Sequence, residues 1–162
     1  MKIISGGQTG VDQAALKAAI DLNVPHGGWC PPGRECESGV IPGMYDLQET
    51  PAERSDDAPD IPRSQRTKWN VLDSDGTLIL LFNKDHAGDP GTEWTVQAAK
   101  RLNKPFRLVN VSKEKNHEEI NEWIRNHEIR VLNVAGPSEQ SAPGIGDAVY
   151  HFMRKLLESS LK

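Results

Sequence analysis

Four short segments of the chain set glycine beside amide, hydroxyl or proline residues directly after apolar runs. They are Gly6-Gly7-Gln8-Thr9-Gly10, Gly27-Gly28-Trp29-Cys30, Gly88-Asp89-Pro90-Gly91-Thr92 and Ala135-Gly136-Pro137. Small residues with bare backbone N–H groups at helix starts are suited to holding an anion, above all a phosphate. The first segment offers backbone access at Gly6, Gly7 and Gly10, an amide at Gln8 and a hydroxyl at Thr9. It has neither the G-x-G-x-x-G spacing of a dinucleotide fingerprint nor the lysine of a P-loop. A tight strand-to-helix turn would explain some of it, but a Gly-Gly pair exceeds what a turn needs. In the third segment Gly91 opens the backbone to a ligand, and the Thr92 hydroxyl either caps a helix or donates to a phosphate. Glu93 and Thr95 follow in the first helical turn, where Glu93 also complements the helix dipole.

Other residues extend this set. Trp29, next to Gly28, and Arg34 follow a short apolar stretch, where an indole can stack on a ring and a guanidinium can pair with a phosphate; a structural Trp and a solvated Arg fit equally. Arg66 and Asn70 reach the same pocket if their helix crosses its edge. Gly136 and Pro137 complete the lining. Glu37, Asp73 and Glu93 are the candidate catalytic acids. No metal site is predicted. His26, His86, His117, His127 and His151 show no H-x-x-x-H spacing, and Cys30 and Cys36, with five residues between them, match neither a redox pair nor a zinc pattern, so they read as reduced thiols.

These residues need elements to position them. Ile3-Ile4 reads as a strand and Gly10 to Leu22 as a helix, with Val11, Ala15, Ala18, Ala19 and Leu22 at helical spacing. Thr9 is placed to cap that helix, with Asp12 at a capping-box position. A second strand spans Val24 to Trp29. From Pro31 to Arg63 the pattern fails, and the Pro-, Gly- and charge-rich segment 31–63 reads as a long loop or lid. Arg66 to Leu72 forms a helix presenting Trp69 and Leu72 inward. Thr77 to Phe82 is a central strand buried on both faces, Thr92 to Leu102 a helix, and Phe106 to Val111 a fourth strand. A capping box at Asn116-His117-Glu118-Glu119 starts a helix to His127. Arg130 to Ala135 is the fifth strand and Pro143 to Leu157 the last helix. Asp73-Ser74-Asp75-Gly76 precedes the central strand, which puts it at the amino end of the sheet. Alternation of strands with long helices implies an α/β fold of three layers: a Rossmann-like open parallel sheet of about five strands, in one domain over 1–162, with helices on both faces. Ligands of such sheets bind beyond the carboxyl ends of the strands, where the four segments meet.

Composition narrows the partners. The chain has 162 residues, 36% of them hydrophobic, and 19 basic against 23 acidic residues give a formal charge of −4. A net acidic domain lacks the basic face of a nucleic-acid binder. No apolar run approaches the ~20 residues that span a bilayer, and the chain opens on Lys2-Ile3-Ile4-Ser5 without an apolar leader. A soluble cytoplasmic protein with a small phosphorylated ligand is expected.

Gly6-Gly7-Gln8-Thr9-Gly10-Val11-Asp12, Gly27-Gly28-Trp29-Cys30-Pro31 with Gly33-Arg34, Arg66-Thr67 with Trp69-Asn70-Val71, Asp73-Ser74-Asp75-Gly76-Thr77, Gly91-Thr92 and Asn133-Val134-Ala135-Gly136-Pro137 together resemble the molybdenum carrier family over nearly the whole chain. The resemblance implies a Rossmann-like fold and binding of molybdenum cofactor (molybdopterin) or molybdate. It extends to the lysine-decarboxylase-like phosphoribohydrolases, whose P-G-G-x-G-T-x-x-E motif carries a catalytic glutamate. Here the corresponding stretch reads Ala87-Gly88-Asp89-Pro90-Gly91-Thr92-Glu93-Trp94-Thr95, with Thr95 at the glutamate's place. Glu93 lies about 200° around the helix from Thr95 and does not replace it. Two functions follow: a carrier of a phosphate-bearing pterin or nucleotide, or a nucleotide-processing hydrolase acting on an N-glycosidic or phosphoester bond. Analogy with Rossmann-like relatives suggests a homodimer or higher homo-oligomer.

Overall fold

In chain order the elements are β1 (Lys2–Ile4), α1 (Val11–Asp21), β2 (His26–Gly27), β3 (Trp29–Cys30), a 3-10 turn (Pro32–Arg34), β4 (Glu35–Cys36), β5 (Gly39–Val40), β6 (Gln48–Glu49), α2 (Ser64–Asp73), β7 (Gly76–Leu81), α3 (Pro90–Arg101), β8 (Phe106–Asn110), α4 (His117–Asn126), β9 (Val131–Ala135) and α5 (Ile145–Ser160). The structure, a computed structural model, describes residues 1–82, 89–113 and 117–161. Gly88 of the third glycine segment, Ala87 before it, His86 and the capping residue Asn116 lie outside the described residues.

The main sheet has the order β2-β1-β9-β7-β8 with every pairing parallel. Counted from β9 and continuing through β1, β2, β7 and β8, this is the doubly wound order 3-2-1-4-5. The strand that is first in that order is therefore last in the chain. The order reverses between β9 and β7, so the crevice outside their carboxyl ends is where a ligand of this architecture belongs.

β7 is buried at all six positions, as its continuous apolar run requires. Its alternate side chains serve two layers: Leu78 and Leu80 pack with Ala15, Ala18, Val149 and Met153 of α1 and α5, while Ile79 and Leu81 pack with Val96 of α3. Helices α1, α4 and α5 cover one face, and α2 and α3 the other.

Several local expectations change. Val24 to Trp29 is not one strand. Gly28 turns the chain at φ 127°, where a Cβ would stand 2.4 Å from the Ser5 carbonyl, and β3 leaves the main sheet to pair with β6. Thr9 does not cap α1; Gly10 is the N-cap, and the Thr9 hydroxyl donates to Glu37 instead. Leu72 is 47% exposed and Trp69 only half-buried, because α2 turns Ser64, Thr67, Asn70 and Val71 inward.

Segment 31–63 carries more structure than its composition suggests. Two small sheets, β3 with β6 and β4 with β5, organise it. Four of its apolar side chains, Cys36, Ile41, Tyr45 and Leu47, pack with Cys30 and with Leu16 of α1. Too few and too widely spaced to show a period, they were invisible to pattern reading.

The Asp73-Ser74-Asp75-Gly76 turn lies at the amino end of β7, as expected. The Asp75 carboxylate accepts the N–H groups of Arg130 (3.0 Å) and Val131 (2.9 Å), joining the start of β7 to β9. The Val131 N–H is the main cause of a carboxyl held below the ordinary aspartate value. An acid depressed in the folded state stabilises it above its unfolded pKa and loses that contribution as pH falls through the folded value. Asp75→Ala should therefore be less stable than wild type at pH 7 in urea unfolding, with the gap closing below about pH 4; a gap independent of pH would contradict the assignment.

Candidate functional site

The first glycine loop does hold an anion, and the anion is the chain's own. β1 ends at Ile4, and the loop that follows wraps the Asp12 carboxylate. Asp12 Oδ2 accepts the Gln8 N–H at 3.2 Å and the Arg66 guanidinium Nη1 at 3.1 Å. Gly6 makes room for this pair: a Cβ there would stand 2.3 Å from Arg66 Nη1 and 3.0 Å from Asp12 Oδ2. Burial pushes the Asp12 carboxyl up, opposed by the Arg66 charge and the Gln8 N–H. Burial likewise lowers Arg66, with the Asp12 charge acting against it. A guanidinium is too basic to give up its proton in a protein, so the pair is ionic.

The other helix starts on this edge are also served internally. Asp89 caps α3, taking the Gly91 N–H on Oδ1 (3.2 Å) and the Thr92 hydroxyl on Oδ2 (2.5 Å). The Thr92 hydroxyl is thus committed to the cap. Glu139 caps α5 through the N–H groups of Gly144 (2.5 Å) and Gly146 (3.0 Å). At α1 the Val11 N–H reaches the Pro137 carbonyl at 3.3 Å. A ligand phosphate docking on these helix ends would have to displace a carboxylate that already balances the dipole.

What stays available is a cleft of about 290 Å³ where the strand order reverses. The Gln8 side chain, Ala135, Gly136, Pro137 and Ser138 form one wall, with Ser141 beyond them. Asp89, Pro90, Gly91, Thr92 and Thr95 of α3 form another. Ile61, Pro62, Arg63, Arg66 and Thr67 close the third side. Three buried polar atoms of this lining have no hydrogen-bond partner among the described residues: Gln8 Oε1, Arg63 Nε and Arg66 Nε. Arg63 adopts a left-handed φ of 58°, rare for a residue with a side chain. Its position is fixed from two sides, its N–H by Glu53 Oε1 at 3.2 Å and its Nη2 by Glu35 Oε1 at 3.3 Å.

Of the residues expected to bind, Gln8, Arg66, Gly91, Thr92, Thr95, Gly136 and Pro137 line this cleft. The others take structural places. A Cβ on Gly7 would meet Leu47 at 2.6 Å, and one on Gly10 would meet the Glu139 N–H nitrogen at 2.6 Å. Thr9 is held between Glu37 Oε1 (2.8 Å) and the Glu139 N–H (3.3 Å). Asn70 accepts the Trp29 N–H at 2.8 Å and donates to the Trp29 carbonyl at 3.0 Å, acting as a substitute strand beside β3.

Trp29 does not face the cleft. Its ring meets Trp69 edge-on at 4.7 Å, and its Nε1 donates to Asp73 at 2.7 Å. With Gly28, it lines a separate cavity of about 420 Å³ on the β2 edge, together with Lys2, His26, Asp46, Gln48 and Asp73. Arg34 is not a counter-ion in the cleft either. Its Nη2 donates to the carbonyls of Pro42 and Tyr45, both at 2.9 Å, and fastens the loop after β5.

The three candidate acids do not converge. Glu37 is bound to Thr9, Asp73 to Trp29, and Glu93 is not among the residues that line the cleft. At the position of the family glutamate, the Thr95 hydroxyl donates back to the Gly91 carbonyl at 2.9 Å. Arg63 and Asp89 were missed. Arg63 stands at the left-handed N-cap of α2, outside the helical spacing, so no periodicity marked it. Among the described residues, no cluster of three or more His, Cys, Asp and Glu is placed to hold a metal ion, and no helix is long and apolar enough to cross a membrane.

Comparison with known proteins agrees with this topology. The profile of the circularly permutated YpsA SLOG family matches residues 3–157. A crystal structure of a protein named "Putative molybdenum carrier protein" from Syntrophus aciditrophicus SB is 40% identical, with a TM-score of 0.82 over 99% of this chain and 94% of that one. No protein of curated function matches. The strand order that becomes 3-2-1-4-5 only when counted from β9 is what a circular permutation produces.

The buried pair sets a stability test. Asp12→Ala leaves Arg66 without its charge partner in a site where Asp12 is only 2% exposed, a loss expected to cost roughly 3–5 kcal/mol. Urea unfolding checks this; a change below about 1 kcal/mol, the scale of an exposed pair, would contradict it.

Proposed function

Because the chain belongs to the circularly permutated YpsA SLOG family, we propose that the cleft between β7 and β9 binds and carries a phosphate-bearing organic ligand of pterin or nucleotide type. The observation that supports this most is the pair of arginines that line one cleft, Arg63 and Arg66, each with a buried Nε that has no partner among the described residues. Buried N–H donors are nearly always satisfied, and charged ones most strongly. Two such donors in a crevice at the topological switch point suit the oxygens of a phosphate.

The molybdenum cofactor fits this chemistry. Its phosphate would take the two arginines, and the small walls at Gly91, Ala135 and Gly136 would admit the fused rings. The cofactor itself would supply the metal as cargo, in keeping with the name of the Syntrophus relative. The cleft volume sits near the lower end of the range for small-molecule pockets, roughly 300–1,000 Å³. A hydrolytic reading finds less support: among the described residues, the acid that lines the cleft is Asp89, and both its carboxylate oxygens are engaged in the α3 cap.

Native mass spectrometry and metal analysis of the purified protein test the class of cargo, with an organic phosphate expected to co-purify. Arg63→Gln should weaken binding of AMP or of the extracted ligand about tenfold or more in calorimetry, the worth of a charged hydrogen bond. Binding unchanged in that variant would overturn the assignment of the phosphate to the arginines.

A further inference from the structure

Donors alone do not describe the cleft. Gln8 is 5% exposed, and its Nε2 donates to the Glu35 carbonyl at 2.8 Å. A carbonyl can only accept, so this bond fixes which end of the amide faces Glu35. The remaining end is Oε1, a buried acceptor with no partner among the described residues, on a residue that lines the cleft. Asp89 adds a second acceptor to the lining, and its carboxylate charge is felt at Arg66. The lining therefore mixes two guanidinium donors with an amide oxygen and a carboxylate.

We infer that Gln8 is a specificity-determining residue: its Oε1 selects ligands that carry an N–H or O–H donor beside their anionic group, and the cleft discriminates against bare oxyanions such as molybdate. This rests on the binding function proposed above and narrows it. Molybdate at neutral pH is fully deprotonated. It offers oxygens to Arg63 and Arg66 but nothing to Gln8 Oε1, and it brings its charge towards the Asp89 carboxylate. A nucleotide or pterin carries ring N–H or ribose O–H groups that satisfy the acceptor. A site built to hydrogen-bond a donor rejects analogues lacking it, because its own buried atom is then left unpaired.

Calorimetry at pH 8 and fixed ionic strength with AMP, methyl phosphate and sodium molybdate tests the inference. Methyl phosphate is a dianion there and carries no donor. Wild type should bind AMP at least tenfold more tightly than methyl phosphate or molybdate. Gln8→Met should lose at least tenfold in AMP affinity while methyl phosphate affinity stays within about twofold. A residue that merely shaped the loop would weaken both equally, and that result overturns the inference. Molybdate binding to wild type within threefold of AMP overturns it as well, even if Gln8→Met does not fold, and leaves the binding function standing. No binding of any of the three overturns the phosphate-binding function and the inference with it.

Discussion

The buried ion pair between Asp12 and Arg66 is the contact on which the carboxyl edge of this protein depends. It ties the first turn of α1 to α2, which cover opposite faces of the sheet, and it does so through the glycine loop that leaves β1. Gly6 has no side chain so that the guanidinium can lie against its Cα. The same guanidinium carries the unpartnered Nε of the cleft lining. One arginine therefore both closes the structure and opens the site, and a substitution at Gly6, Asp12 or Arg66 disturbs both.

The pair belongs to a wider arrangement. At α1, α3 and α5 the helix starts face the ligand edge, and carboxylates of the chain take the anion's part there: Asp12 in the glycine loop, Asp89 on α3 and Glu139 on α5. In many α/β proteins such ends receive phosphate. In the function proposed above, recognition would pass to side chains instead, to Arg63 and Arg66 for charge. In the permutated chain order β9 stands between β1 and β7 and leads into Gly136 and Pro137, which line the crevice at the switch point.

Sequence reasoning reached the α/β class, the five-strand parallel sheet and the family, and seven of the fifteen residues put forward for binding line the cleft. Long periodic or continuous apolar elements such as β7, α3 and α5 were legible because burial imposes their pattern. The glycine segments were legible as the carboxyl edge of the sheet. Sequence does not say whether an amide cradle there faces a ligand or a carboxylate folded back from Asp12, Asp89 or Glu139. Arg34 and Trp29 were drawn into the site by their types alone, and their partners, the Pro42 and Tyr45 carbonyls and Asp73, became visible only through tertiary contacts. Segment 31–63 hid its packing for a different reason: six residues from distant stretches make one small cluster, with no local period to announce it.

The position that a phosphate takes on binding is the most direct test of the function proposed for this edge. A crystal structure of the protein with AMP, or with whatever ligand co-purifies, should place a phosphate oxygen within hydrogen-bond distance of both Arg63 Nε and Arg66 Nε, with Asp12, Asp89 and Glu139 still capping their backbone N–H groups. A phosphate seated instead on the Gly6–Gln8 loop after displacing Asp12, or in the cavity beside Trp29, would contradict it.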